Sequence, residues 1–170
     1  MRRTQLILGG ARSGKSRRAL ELAREASHRP VFIATAEAWD DEMAKRIARH
    51  KTERGDEWSN IEAPLAIMQA LEDASQMGDL CVIDCLTLWL SNLMHNDRDV
   101  EAESKRLCQG ISSLTIPVIL VSNEVGLGLV PETSLGRAFR DAQGRLNQDV
   151  AKVCDRVEFI AAGLPILLKG

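Results

Sequence analysis

The chain has 170 residues, 45% of them hydrophobic and 27% charged, with a formal net charge of −2. That length suits one compact domain, 1–170, and the balance excludes a disordered or fibrous chain. A near-neutral charge argues against a broad nucleic-acid footprint, so no nucleic-acid partner is expected and any phosphate binding must come from a local site.

In chain order, Arg2 and Arg3 precede only a few apolar residues, too short a run for a signal-peptide core. No stretch approaches the roughly twenty apolar residues of a membrane span, so none is expected. The apolar run 5–8 ends in glycine, and a helical pattern continues through Ala19, Leu20, Leu22, Ala23 and Ala26. Residues 31–35, rich in β-branched and aromatic side chains, read as a second strand. Asp40 is placed to cap a charged helix running to Arg54. Residues 58–62 read as a short strand, and Pro64 suits the first turn of a helix presenting Leu65, Met68 and Leu71 on one face.

The apolar run 80–85, with Asp84 near its close, suits a strand buried on both faces. Helical stretches follow around 86–94 and 99–113, then a buried strand over 117–122 and an irregular loop with Gly126, Gly128 and Pro131. The clearest period lies over 134–153, with Leu135, Ala138, Phe139, Ala142, Leu146, Val150 and Val153 along one stripe. Residues 157–161 and 166–168, joined through Gly163, predict a terminal strand pair. Strands alternate with helices nearly throughout, which predicts an α/β fold with a mostly parallel sheet and one antiparallel edge near the C-terminus.

Cys81, Cys85, Cys108 and Cys154 are the cysteines. No second paired cluster completes a zinc site around Cys81 and Cys85, so both read as small core residues. A reduced, cytoplasmic setting is the expectation.

Gly9-Gly10-Ala11-Arg12-Ser13-Gly14-Lys15-Ser16 satisfies G-x-x-x-x-G-K-S/T, between a strand and an amphipathic helix as that motif requires. Its glycines let backbone N–H groups curl towards phosphate oxygens, and the helix N-terminus adds the positive end of its dipole. Lys15 supplies a point charge to the outer phosphates, and the Ser16 hydroxyl is a candidate Mg²⁺ ligand. Asp84, at a buried strand end, is the candidate acid to hold the metal through water; an Asp there is also a common helix cap. The expected fold is therefore a P-loop NTPase-like three-layer α/β domain. Kinases, ATPases, GTPases and nucleotidyltransferases can all carry this loop, so it does not name the reaction.

Of the three histidines, His28 and His95 sit in polar surroundings. His50 shares a helical face with Met43, Ile47 and Arg54, among several cations that would favour its neutral, nucleophilic form. From spacing alone, a histidine on a charged helix is more often an exposed bystander.

Beyond the loop, an ordered set of motifs runs through the chain: I-A-T at 33–35, D-D-E-M at 40–43, R-I-x-x-H-K at 46–51, Arg54, and W-x-x-x-E from Trp58 to Glu62. It continues through Asp84 with Leu86-Thr87, N-E-V-G at 123–126, V-P-E at 130–132 and F-R-D-x-x-G-R-x-N-Q at 139–148. Together they resemble the bifunctional adenosylcobinamide kinase / adenosylcobinamide-phosphate guanylyltransferase family of cobalamin biosynthesis, over nearly the whole chain. The resemblance implies a corrinoid substrate, phosphorylated on its aminopropanol hydroxyl by a nucleoside triphosphate, ATP or GTP. GMP is then transferred from GTP to that phosphate through a guanylyl-histidine, matching His50.

The resemblance further implies nucleotide contacts from residues 9–16, Thr35, Arg54, Glu62 and Asp84, and a homotrimer. Glu62 is either a ribose contact or a solvated strand-end acid, and Arg12 either touches phosphate or is exposed. Asn123 and Glu124 lie at a strand C-terminus, where open sheets place ligands. Asn147 and Gln148 flank the apolar stripe, as substrate contacts or as packing groups. The chain departs from the family's usual pattern at Gly55, commonly Pro, and at Asn60, commonly Thr.

Two other readings stand beside this one. An enzyme that retains only guanylyl transfer would carry the same loop. A regulatory GTP switch would need a guanine-reading N-K-x-D element, but Asn123 is followed by Glu124 and Val125.

Overall fold

A computed structural model describes residues 3–37, 55 and 57–170. The predicted helix from Asp40 to Arg54, with His50, lies outside the described residues. Strand β1 (Thr4–Gly9) is buried along its whole length and leads through the glycine loop into helix α1 (Lys15–Ala26). Strands β2 (Pro30–Ala34) and β3 (Ser59–Glu62) follow, then helix α2 (Ile67–Met77), strand β4 (Leu80–Asp84) and helices α3 (Leu86–His95) and α4 (Val100–Ser113). The chain ends with β5 (Val118–Asn123), α5 (Ser134–Val153), β6 (Arg156–Ala161) and β7 (Leu164–Lys169).

The strands form one sheet in the order β3-β2-β4-β5-β1-β6-β7, parallel except for the antiparallel β6–β7 pair. The expected mostly parallel sheet with an antiparallel edge is what forms. Alternation along each strand divides the core into two layers. Ile7, Phe32, Val82, Ile119, Val121 and Ile160 meet Ala19 and Ala23 of α1 on one face. On the other face Leu6, Leu8, Ile33, Ile83 and Leu120 meet Leu71, Leu90, Leu107 and Leu146 from the remaining helices. Each fully buried Leu or Ile contributes about 1.5–3 kcal/mol over its exposed form, so the central strands anchor everything at their ends.

Three details differ from the sequence expectation, the first being that Leu135 and Ala138, at the start of the predicted apolar stripe of α5, are exposed. Helix α2 begins at Ile67, beyond Pro64, because carbonyls just before it are bound by side chains of α3. Asn92 Nδ2 donates to the Pro64 carbonyl at 3.0 Å, and Trp89 Nε1 donates to that of Leu65 at 3.0 Å. The strand expected from residue 58 starts at Ser59, while buried Trp58 stacks edge-on against Phe32 at 6.1 Å between ring centres.

Among the described residues no helix is long and apolar enough to cross a membrane.

Candidate active site at the phosphate loop

The loop after β1 has the backbone that phosphate binding needs. Gly14 adopts φ +101° and Arg12 φ +56°, both left-handed, a region that Gly occupies at no steric cost. A methyl at Gly9 would lie 2.5 Å from Ser13 Oγ and 2.7 Å from the Ile160 carbonyl, so only glycine fits there. Ser13 N–H donates to the Gly10 carbonyl at 3.3 Å, closing the curl.

Helix α1 starts from Gly14 with no side-chain cap and no acid in its first turn. Helices α2 and α3 also start without a side-chain cap, whereas α4 and α5 are capped by Asp99 and Thr133, which accept from Ala102 and Gly136 backbone N–H groups. An uncapped helix start keeps its orphan N–H groups and its dipole for an anion. Lys15 Nζ folds across the loop and donates to the Gly10 carbonyl at 3.1 Å.

The last hairpin braces this loop. Ala162 (φ +52°) and Gly163 (φ +79°) form a two-residue turn with both φ positive, the type that matches strand twist. Gly163 N–H donates to the Ser13 carbonyl at 2.8 Å. On the same side of the sheet, buried Glu158 of β6 accepts from Arg18 Nε of α1 at 3.0 Å and from Arg156 Nε at 2.9 Å. Burial alone would push the Glu158 carboxyl up, but the Arg18 and Arg156 guanidinium groups outweigh it and hold it below the ordinary range.

Asp84 closes β4, two strands from β1, with β5 between them. Asp84 ends β4 next to the buried Cys85, and only β5 separates that strand from β1, whose loop leads into Lys15. Burial first, then the Asp84 charge, pushes the Cys85 thiol up to about 11, so it stays protonated. The candidate donors, the hydroxyl of Ser16 in the first turn of α1 and the carboxylate of Asp84 at the end of β4, are hard oxygens, which suit Mg²⁺ and not a thiolate-seeking metal.

Thr35 is fully buried, immediately after β2. Its hydroxyl donates to the Cys85 carbonyl at 2.7 Å and accepts from Cys85 N–H at 2.8 Å, while its carbonyl accepts from Asn92 Nδ2 at 2.8 Å. The Thr35 side chain therefore shapes the Asp84–Cys85 junction. Glu62 is exposed at the end of β3, in register with Ala34, which is in register with Asp84. It lies four strand positions from Gly9, about 19 Å at ~4.8 Å per strand. Arg12 is exposed. The structure thus gathers residues 9–16, Thr35 and Asp84, and sets Glu62 further along the same lip. His50 and Arg54 lie outside the described residues.

A polar network behind β5 is only partly visible in the sequence. Ser122 Oγ donates to Asn147 Oδ1 at 2.7 Å, and buried Gln143 Nε2 donates to Ser122 Oγ at 3.0 Å. Asn147 Nδ2 donates to the Asn123 carbonyl at 2.9 Å, so Asn147 is a packing group, and Gln148 is exposed. Glu124 accepts from the backbone N–H of Gly126 and Leu127 at 2.7 and 3.0 Å, folding its own loop. Gln143 escapes the sequence reading because it sits within an apolar helical pattern. The signal is there: a polar residue one turn before Leu146 on the core stripe must find a buried partner.

A strand, a left-handed glycine loop, an uncapped helix start and an acid at the end of a nearby parallel strand define a P-loop nucleotide-binding protein of the α/β class. Solved structures share this fold. A type III secretion system ATPase of pathogenic bacteria superposes with a TM-score of 0.58 at 11% identity, over 97% of this chain and 56% of that one. A KaiC-like protein of the hyperthermophilic archaeon Pyrococcus horikoshii gives 0.51 at 14% identity, over 92% and 71%.

The family model described as cobinamide kinase / cobinamide phosphate guanyltransferase matches residues 5–168, and the chain belongs to that family of transferases. It is 47% identical over 167 residues to the bifunctional adenosylcobalamin biosynthesis protein CobP of Pseudomonas aeruginosa, covering 97% of this chain and 96% of that one. It is 34% identical over 179 residues to the bifunctional protein CobU of Escherichia coli, covering 96% and 98%.

Proposed function

We propose that this chain is a single-domain enzyme carrying both activities of its family at one phosphate site. In the first, the aminopropanol hydroxyl of adenosylcobinamide attacks the terminal phosphorus of ATP or GTP. The hydroxyl loses its proton, the bond to the bridging oxygen breaks, and a nucleoside diphosphate leaves. In the second, an unprotonated ring nitrogen of His50 attacks the α-phosphorus of GTP, and pyrophosphate leaves. An oxygen of the corrinoid phosphate then displaces His50, giving adenosylcobinamide-GDP.

The observation that carries this reading is the uncapped start of α1 beneath a left-handed loop, with Asp84 closing β4 two strands away in the same parallel sheet. The loop N–H groups bind and orient the phosphates, and Lys15 exchanges its Gly10 carbonyl for a phosphate oxygen. Ser16 and Asp84 would hold Mg²⁺, which when bound offsets charge on the phosphates. Thr35 acts through the Cys85 backbone to fix Asp84, while Glu62 and Arg54 serve the nucleoside end and the phosphates respectively.

The homotrimer implied by the family resemblance is supported by apolar surface needing cover: Leu164, Ile166, Leu167 and Leu168 on the edge strand β7, and Leu127, Leu129, Val130 and Leu135. Light scattering on purified protein checks it, and a monomer at working concentration would count against it.

Intact-mass measurement after incubation with GTP and Mg²⁺ tests the covalent step. Wild type should gain one GMP in acid-labile, base-stable linkage, mapped to His50, and His50→Ala should gain none. Equal labelling of both proteins, or no labelling of wild type, would refute the guanylyl-histidine. The neutral imidazole requirement also predicts that labelling fails as His50 protonates at low pH.

A further inference from the structure

Asn123 is the last residue of β5, the strand between the phosphate-loop strand β1 and the Asp84 strand β4. In register it sits opposite Gly9, the first residue of the loop motif, while Asp84 sits opposite Val121 on the other side. Its main chain is held at both ends. Its N–H donates to Thr87 Oγ1 at 2.8 Å, and its carbonyl accepts from Asn147 Nδ2 at 2.9 Å. Thr87 lies in the first turn of α3, directly after the Asp84–Cys85 junction, so Asn123 is tied to the strand end that carries Asp84.

The side chain is a different matter. Asn123 Oδ1 is shielded from solvent and accepts no hydrogen bond from the described residues. A buried carbonyl left in this state is destabilising, and the cost is removed only when a donor reaches it. Around it Thr87 and Asn147 hold the Asn123 backbone while Ser122 and Gln143 bond to other side chains, and none of the four meets this carboxamide oxygen. With its main chain clamped, Asn123 keeps only its side-chain torsions free, and turning them brings that oxygen to a donor outside the protein.

We propose that the Asn123 carboxamide engages the phosphoryl group being transferred in the kinase step. Nδ2 donates to an oxygen of the terminal phosphate, and Oδ1 accepts from the incoming substrate hydroxyl. One planar group, held between loop and acid, thereby aligns the attacking oxygen with the terminal phosphorus. An amide cannot take the proton, so its role is contact and alignment. GMP transfer breaks the bond at the α-phosphorus, away from the terminal group, and should depend on Asn123 much less. The proposal rests on the reading of this loop as a kinase site.

The test measures the two half-reactions separately for Asn123→Ala and Asn123→Asp: phosphate transfer to cobinamide, and GMP transfer to cobinamide phosphate supplied ready-made. Asp is isosteric, keeps an acceptor and places negative charge against the phosphate; it serves the comparison if the alanine variant does not fold. Phosphate transfer should fall about a hundredfold or more in kcat, with the nucleotide KM changing about threefold or less. In Asn123→Ala, GMP transfer should fall at least about tenfold less than phosphate transfer does, with the melting temperature close to wild type. Gln143→Leu disturbs the network without touching substrate and should lower the melting temperature without separating the two activities. Equal loss of both half-reactions, or undiminished phosphate transfer, would overturn the proposal. A wild-type protein that transfers GMP but no phosphate would remove the kinase reading and this proposal with it.

Discussion

Gly163 donates its backbone N–H to the carbonyl of Ser13 at 2.8 Å, so the turn of the last hairpin holds the middle of the phosphate loop. The contact is close on both sides: a methyl on Gly14 would come within 3.3 Å of Gly163 Cα. Gly163 itself sits at φ +79°, and a methyl there would lie 3.2 Å from Arg17 Nη2.

Gly163→Ala therefore keeps the N–H but strains the turn that aims it. The expected cost is about 1–2 kcal/mol of stability from the left-handed conformation alone. Nucleotide affinity should weaken too, because the loop loses its brace. Isothermal titration with GTP alongside a denaturant melt checks both. Unchanged affinity in a destabilised protein would show that the hairpin supports the fold without setting the loop.

Lys15→Ala removes the charge that moves from the Gly10 carbonyl to phosphate. Both transfer reactions should fall about a hundred- to a thousandfold, since both develop charge on phosphates at this loop. Steady-state kinetics on each half-reaction checks this. A loss confined to one of them would mean that the two reactions use separate phosphate sites.

Glu158 ties α1 to β6 through Arg18, and its carboxyl titrates below the ordinary range. The sign follows from linkage: a depressed carboxyl contributes stability that is whole above the unfolded value of about 4.3 and is lost as pH falls through the folded one. Glu158→Gln should lower stability at neutral pH by about 1–3 kcal/mol and flatten the acid limb of the stability curve. Denaturant melts from neutral to acid pH test it, and an unchanged acid slope would show that other carboxylates govern the limb.

The thiols make a separate prediction. Burial pushes Cys81 up to about 12, Cys85 to about 11 and Cys154 to about 12; it raises Cys108 as well, but that thiol is only half-buried on α4 and the most accessible of the four. Native protein treated with a maleimide at mildly alkaline pH should take one adduct, at Cys108, before any other, because the thiolate is the reacting form. Peptide mapping reads the site, and early labelling of Cys85 would mean that the corner beside Asp84 opens readily.

Much of this fold can be read along the chain. The apolar runs at 5–8, 80–85 and 117–122 are legible because a strand covered on both faces needs no polar alternation. The stripe over 134–153 is legible because a helix repeats every 3.6 residues. The start of α2 is misplaced by sequence because proline marks a permitted helix start, while the carbonyls of Pro64 and Leu65 are already committed to Asn92 and Trp89. Those partners lie in another helix and leave no trace in local spacing.

The residues 9–16 by themselves determine a phosphate loop, since glycine spacing dictates which backbone dihedrals are open and the following helix dictates where the N–H groups point. Only the tertiary structure decides that Thr35 secures the backbone beside Asp84, that Glu158 anchors α1, and that Gly163 braces Ser13. The reason is strand order. Local sequence encodes dihedral freedom and the period of burial, but crossovers in the sheet determine which distant polar groups meet, and a buried polar group takes its role from whatever partner arrives.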